Sequence, residues 1–361
     1  MGTSLFAQFT QRHMPNWARV RRHPVIGLSI GSEAIAFVEF RNHQGRYVLN
    51  RWGYQPLDPQ TMHNGRIQDR PALVEVLRAL VEQYSLQRVS VAMAVSGTSV
   101  MVKRIRVPKS HQQNLDEYLM WEGDQYIPYD LDEVYLDFSL RASSADVLGE
   151  EIDLLLVAAK CDTVDEHREV LEEVQLYPII CDVDPLAILN LAQMNKEVQA
   201  HHSYLVVNIQ STLMNIAVVG HGEPLLVRDV GLSSAEKQTF AGGEFRDMRR
   251  LGPSGDSQVS HIVDPSYSEK NNWSETVNEL KRTVESAREC QHDFHLEQIF
   301  LSGILDTSLE LQEEISQSLM APASRINLFA PFELGDRGAL KSPVESIANV
   351  AGGLALRIHH G

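Results

Sequence analysis

Two apolar stretches of this chain open in the same way, and that pairing constrains the fold more than any other feature. Val25–Phe40 reads as two strands about a tight turn: VIGLSIG, a short polar step at Ser32-Glu33, then AIAFVEF, with a third strand near Arg46–Trp52. Tyr204–Ile209, Met214–Val219 and Pro224–Val230 again make three strands joined by short turns. Helices follow each set. Ala72–Gln83 puts Leu73, Val76, Leu77, Leu80 and Val81 on one face at helical spacing, and Thr276–Cys290 and Leu309–Leu319 read as helices after the second set. Two similar α/β halves with a cleft between them are expected, although no exact sequence repeat relates them.

Between the halves, Val89–Val95 and Val100–Val107 are strand-like, and Leu115–Gln125 reads as a helix that stops before Pro128. Val134–Leu140 alternates as a half-buried strand, Ile152–Ala158 reads as a buried one, and Val164–Val174 as a helix. Asp184-Pro185 should open another helix, with Asp at the N-cap and Pro at N1. Over residues 231–273 Ser, Gly, Asp, Asn and Pro cluster and apolar periodicity fades. A last helix begins near Val344.

Charge and cysteine usage exclude several classes. Of 361 residues, 32 are Lys or Arg and 48 Asp or Glu, a net charge of −16, which argues against a general nucleic-acid binder. Residues 1–24 depart from this: they carry Arg12, Arg19, Arg21 and Arg22 and no acid. With Leu5, Phe6, Phe9, Trp17 and Val20 they read either as a solvated tail or as a basic arm against anionic lipid. Phe6 stands where myristoylation needs Ser or Thr. Cys161, Cys181 and Cys290 are scattered and odd in number, so a disulfide framework is excluded and a reducing compartment expected. The longest clean apolar run, Leu154–Ala159, is far short of the roughly 20 residues that span a bilayer.

Gly27-Leu28-Ser29-Ile30-Gly31 matches the GxSxG elbow of α/β hydrolases, but the elbow needs a helix after the serine and a strand follows here. No lysine follows a glycine, so there is no P-loop. His292 and His295 lack Cys or carboxylate partners at metal-ligand spacing. The turns at Gly31-Ser32 and Gln210-Ser211-Thr212 are of more interest. Facing each other across a cleft, they would aim backbone N–H groups at phosphates. Such a clamp wants a carboxylate near each turn to hold Mg²⁺, and Ser29 and Asn208 stand there instead.

The segment EGDQYIPYDLDEVYLDF, Glu122–Phe138, resembles the signature EAEQYIPFPLDEVxLDF of the PilM family, actin-like proteins of type IV pilus assembly. Other motifs agree in the same order: Val25–Ser32, Val95–Pro108, Cys181–Ala187, Glu279–Glu285, Leu301–Gly303 and Ala351–Arg357. The likeness runs over about residues 25–357. It implies an α/β actin-like, ribonuclease H-like duplicated fold, with the subdomain arrangement of FtsA and PilM and a reduced small lobe. The expected parts are a basic arm over 1–24; a first half from 25–103 and 182–202; an inserted subdomain over 104–181; a second half from 203–234 and 297–361; and a loop-rich small lobe over 235–296.

The same resemblance implies a cytoplasmic scaffold at the inner-membrane face. It would capture the N-terminal peptide of a PilN-like bitopic membrane protein in a groove between two subdomains, and it could meet other platform proteins or itself. In the signature, Tyr126, Ile127, Val134, Leu136 and Phe138 also read as plain core. The cofactor implied is ATP with Mg²⁺. Backbone at Gly31 and Ser32 would face phosphate, Asn208 and Gln210 would stand opposite, and Glu279 and Arg282 would lie on the adenosine side with Gly303. The departures gather at that place. Ser29 replaces an acid, Asn208-Ile209-Gln210 replaces a DxG, and Gly303-Ile304 replaces a glycine pair. A side chain at Gln210 fills space that a glycine leaves open. Weak nucleotide binding without turnover is therefore expected, the alternatives being an ATP-binding switch of the same assembly or a hydrolase using Ser29.

Overall fold

The computed structural model describes residues 25–140, 150–210, 212–232, 273–303, 309–335, 340 and 344–357. The first half begins with β1 (Val25–Ile30), β2 (Ala34–His43), β3 (Arg46–Pro56), the short pair β4 (Met62–His63) and β5 (Arg66–Ile67), α1 (Arg70–Tyr84) and β6 (Ser90–Val95). An insert follows: β7 (Val100–Pro108), α2 (Leu115–Glu122), β8 (Val134–Leu140) and β9 (Glu151–Lys160). The chain returns through α3 (Cys161–Glu173), β10 (Tyr177–Val183), α4 (Asp184–Ala192) and α5 (Lys196–Gln199). The second half is β11 (Tyr204–Ile209), β12 (Leu213–Gly220), β13 (Glu223–Gly231), α6 (Ser274–Cys290), β14 (Gln298–Gly303), α7 (Leu309–Leu319), β15 (Ala323–Arg325), β16 (Glu333–Leu334) and α8 (Val344–Arg357).

The duplication expected from the two meanders is present. One sheet runs β10-β6-β1-β2-β3-β16 and the other β13-β12-β11-β14-β15. In each, the opening three strands are antiparallel and the next strands pair parallel beside the first. Both sheets are buried on both faces, so their central strands are continuous apolar runs rather than alternating ones. Helices α4 and α8 lie between the sheets, α1 and α3 cover the outside of the first, and α6 and α7 that of the second. Alternate residues of β11 accordingly enter different cores. Tyr204 and Val206 join the large central cluster, while Leu205, Val207 and Ile209 pack with Val277, Leu280 and Ile315 of α6 and α7.

Close approach sets where α8 sits. A Cβ on Gly27 would lie 2.0 Å from the Ala351 carbonyl oxygen, and one on Gly353 would lie 1.7 Å from that of Ala187. The first glycine of the GxSxG match is thus a packing glycine. Ser29 sits within β1 opposite Ala36 of β2, and no strand-to-helix elbow exists there. Helix α1 starts as its sequence suggests: the Asp69 side chain accepts from Ala72 N–H and Pro71 occupies the first turn.

The insert is a three-stranded sheet, β7-β9-β8, smaller than the 104–181 expected. Its Leu154, Leu156 and Ala158 form their own core with Leu115 and Leu119 of α2, and Leu155, Val157 and Ala159 pack into the first half. Strand β10, whose residues 177–181 fall within the span expected for the insert, pairs with β6 in the main sheet, and α3 packs on α1 and β10. Apolar strands such as β9 and β10 read alike in sequence, and only their pairing separates them. The arm 1–24 and residues 235–272 of the expected small lobe lie outside the described residues.

Candidate functional site

The carboxyl ends of β1 and β11 meet the amino ends of α4 and α8, the place where open α/β sheets bind ligands. A cavity of about 20 Å³ lies there, lined among others by Ser29, Gly31, Ser32, Asp184, Asn208 and Gln210. That is room for a water molecule or two. A second, of about 10 Å³, adjoins it and is also lined by Gly31, Asp184 and Gln210.

The two turns face each other as the sequence suggests, and each is closed on itself. Gly31 N–H donates to the Ala34 carbonyl at 3.0 Å, and Gln210 N–H to the Leu213 carbonyl at 2.8 Å. The Gln210 side chain reaches across, so that a Cβ on Gly31 would lie 3.7 Å from its Oε1. Its Nε2 donates to Asn215 Oδ1 at 2.9 Å.

Asn208 stands in a closed network of buried amides. Its Nδ2 donates to Asn215 Oδ1 at 3.1 Å. Its Oδ1 accepts from Ser302 Oγ at 3.1 Å and from Asn349 Nδ2 at 3.0 Å. Asn215 Nδ2 donates onward to Asp229 Oδ1 at 2.7 Å, and Asp229 Oδ2 accepts from Gly97 N–H, also at 2.7 Å. The network runs from α8 through the second sheet to the turn after β6, tying the two halves together.

Two carboxyls that sequence reasoning missed belong to this cleft, which corrects the expectation that the turns lack acid. Burial pushes the Asp229 carboxyl up to about 6, against the pull of its bonds from Asn215 and Gly97. Burial, then the neighbouring Asp229, hold Asp184 well above the usual carboxylate range, opposed by a hydrogen bond from Ser96. Asp184 is the first residue of α4, after the N-cap Val183, rather than the cap itself. The signal was there in Asp184-Pro185. Asp followed by Pro at a helix start suggests a cap, the commoner role of such an aspartate.

Glu279 and Arg282 do not join the two turns. Glu279 pairs with Arg228 of β13, and Arg282 Nη1 donates to Glu279 Oε1 at 2.6 Å. They brace α6 against β13. Gly303 ends β14 beside Ile209 at φ +99°, where a Cβ would lie 2.1 Å from the Ile209 carbonyl oxygen. Among the described residues, no three His, Cys, Asp or Glu come together to hold a metal ion, His292 and His295 included.

The signature segment forms a second polar centre. Asp137, on β8, is 5% exposed at the seam between insert and first half. Its Oδ1 accepts from Phe138 N–H at 2.9 Å, and its Oδ2 has no hydrogen-bond partner among the described residues. Burial raises this carboxyl to about 7, with Asp182 adding to the rise and Arg357 opposing it. Asp182 and Arg357 are themselves ion-paired. Within the signature, Ile127 and Val134 are core as expected, with Tyr126, Leu136 and Phe138 half-buried against it.

The profile of the type IV pilus assembly protein PilM family matches residues 27–240. The chain belongs to the PilM family. Among solved structures it is similar to a chain of a PilM–PilN type IV pilus biogenesis complex, at 23% identity over 94% of this chain and 99% of that one, with a TM-score of 0.73. The architecture of this PilM-family chain is thus the actin-like one, as expected. It also matches the ethanolamine utilization protein EutJ from Carboxydothermus hydrogenoformans (13% identity, 98% and 95% of the two chains, TM-score 0.46). The cytoplasmic domain of EpsL, an inner-membrane component of the type II secretion system of Vibrio cholerae, matches at 11% identity over 93% and 95%, TM-score 0.45. Likenesses as distant as these last two add nothing to the assignment.

Proposed function

We propose that this PilM-family chain is a scaffold of type IV pilus assembly that docks the N-terminal peptide of a PilN-like bitopic protein at the cytoplasmic face of the inner membrane. No described helix is long and apolar enough to cross a membrane. The observation that carries the reading is Asp137. It is a residue of the family signature, buried at a seam between subdomains, with an acceptor oxygen that has no hydrogen-bond partner among the described residues. Such a group costs about 1–3 kcal/mol in the free protein, and a bound peptide N–H or side-chain donor relieves that cost. Among the described residues, strand β8 beside it pairs only with β9, and its other edge could take an extended segment.

The cleft supports the other half of the proposal, a docking protein without ATP turnover. The described residues of the cleft fit the nucleotide and Mg²⁺ implied by the fold family poorly. Gln210 spans the gap between the turns, Asn208 has its oxygen and one amide proton committed to neighbours, and the remaining cavity is water-sized. One observation favours the rival reading of a nucleotide-binding switch: Asp184 supplies a carboxylate at the cleft wall. Calorimetry of the intact chain against a synthetic N-terminal peptide of the PilN-like partner, with and without Mg-ATP, separates them. We expect peptide binding without nucleotide, weakened about tenfold, or ~1.4 kcal/mol, by Asp137→Asn. Peptide binding only in the presence of Mg-ATP would overturn the scaffold reading in favour of the switch.

A further inference from the structure

Helix α2 turns an unusual face to solvent. Leu115 and Leu119 are buried in the insert core, whereas Trp121 is 78% and Met120 55% exposed. Asp116, Met120, Glu117 and Trp121 fall in that order within about 140° of the helix circumference, at 100° per residue, and all four are exposed. Exposed Asp124 follows in the next turn. The face therefore combines a tryptophan ring, a thioether and three carboxylates. An indole face attracts a guanidinium, and the carboxylates around it favour the same cation and disfavour an acidic partner.

The chain contains a segment of matching chemistry. Residues 1–24 hold four arginines, no acid and the apolar side chains Leu5, Phe6, Phe9, Trp17 and Val20, in a protein whose net charge is −16. They lead directly into β1. Twenty-four extended residues reach roughly 80 Å, and a compact chain of this length is roughly 50 Å across, so reach does not limit contact with α2. We propose that residues 1–24 dock on the Trp121 face of α2 of the same chain, with arginines against Asp116, Glu117 and the indole ring.

The test is trypsin cleavage of the intact protein after Arg12, Arg19, Arg21 and Arg22, followed by mass spectrometry. The wild type is compared with Trp121→Ala and with Asp116→Lys/Glu117→Lys. All three positions are exposed, and unchanged thermal unfolding confirms that the variants fold. Cleavage in the arm should be about tenfold faster in both variants, a loss of ~1.4 kcal/mol of protection, with cuts elsewhere in the chain unchanged. Raising the salt toward 1 M should speed the wild-type reaction as surface charges are screened. Equal rates in all three proteins would overturn the proposal. Protection that grows with protein concentration would move the contact to a second copy and overturn the intrachain reading. Protection conferred only by vesicles of anionic lipid, whatever stands on α2, would give the arm to the membrane instead.

Discussion

Asp137→Asn should make this protein more stable above neutral pH while weakening its docking function. In the fold the Asp137 carboxyl is raised to about 7 from an ordinary value near 3.8. A gap of roughly three pH units at 1.36 kcal/mol each is about 4 kcal/mol, and at 5% exposure solvent does little to lessen it. The sign follows from proton linkage. A carboxyl that holds its proton more tightly in the folded state stabilises the protein below the unfolded value, and that stability is lost as pH rises through 7. At about pH 5 roughly 1.5 kcal/mol has been lost, and at about pH 8.5 the whole amount. Asparagine keeps the acceptor for Phe138 N–H and replaces the orphan oxygen by an orphan N–H, which costs about 1–3 kcal/mol at every pH. Relative to wild type, the variant should therefore gain about 3 kcal/mol between these two pH values. Urea denaturation followed by tryptophan fluorescence at both pH values measures this. A difference between variant and wild type that stays within about 1 kcal/mol across the range would refute the reasoning, because Asp137 would then be no worse solvated in the fold than in the unfolded chain.

Gln210→Gly should open the space between the two turns and raise Mg-ATP affinity at least about tenfold by calorimetry; unchanged affinity would show that Gln210 is not what fills the cleft. Gly27→Ala puts a Cβ 2.0 Å from the Ala351 carbonyl oxygen and should cost about 3 kcal/mol or more as α8 lifts from β1, read as a lowered melting temperature. Arg357→Met strands the fully buried Asp182 and should cost about 3–5 kcal/mol, read as a lowered melting temperature.

The fold was largely legible because it rests on patterns that local physics enforces. Two strand-turn-strand openings, each an apolar run ending at a tight turn, predict two sheets, and helix α1 announces itself by Asp69, Pro71 and the spacing Leu73-Leu77-Leu80. The insert was misjudged at one end. Whether Tyr177–Val183 joins β6 or β9 depends on partners about 90 and about 20 residues away, respectively, and strand propensity carries no such information.

The cleft was legible in its turns and not in its chemistry. Ser29, Gly31, Asn208 and Gln210 were found because they flank strand ends. Asp229, Asn215 and Asn349 were not, since each looks in sequence like an ordinary polar residue within a strand or helix. Their meaning lies in a network that closes only when β11, β12, β13 and α8 are stacked. That network also says why the Asn208 position can lack charge. A carboxylate at 208 would accept from Ser302 and Asn349 as the amide does, but it would have no N–H for Asn215 Oδ1. It would also stand as another buried negative charge near Asp229 and Asp184, whose carboxyls are already held above their ordinary range. Asparagine at 208 avoids that repulsion and lets the two halves share one hydrogen-bond system. A cleft bridged in this way ties the two halves together through the chain's own hydrogen bonds, which suits the docking scaffold proposed above.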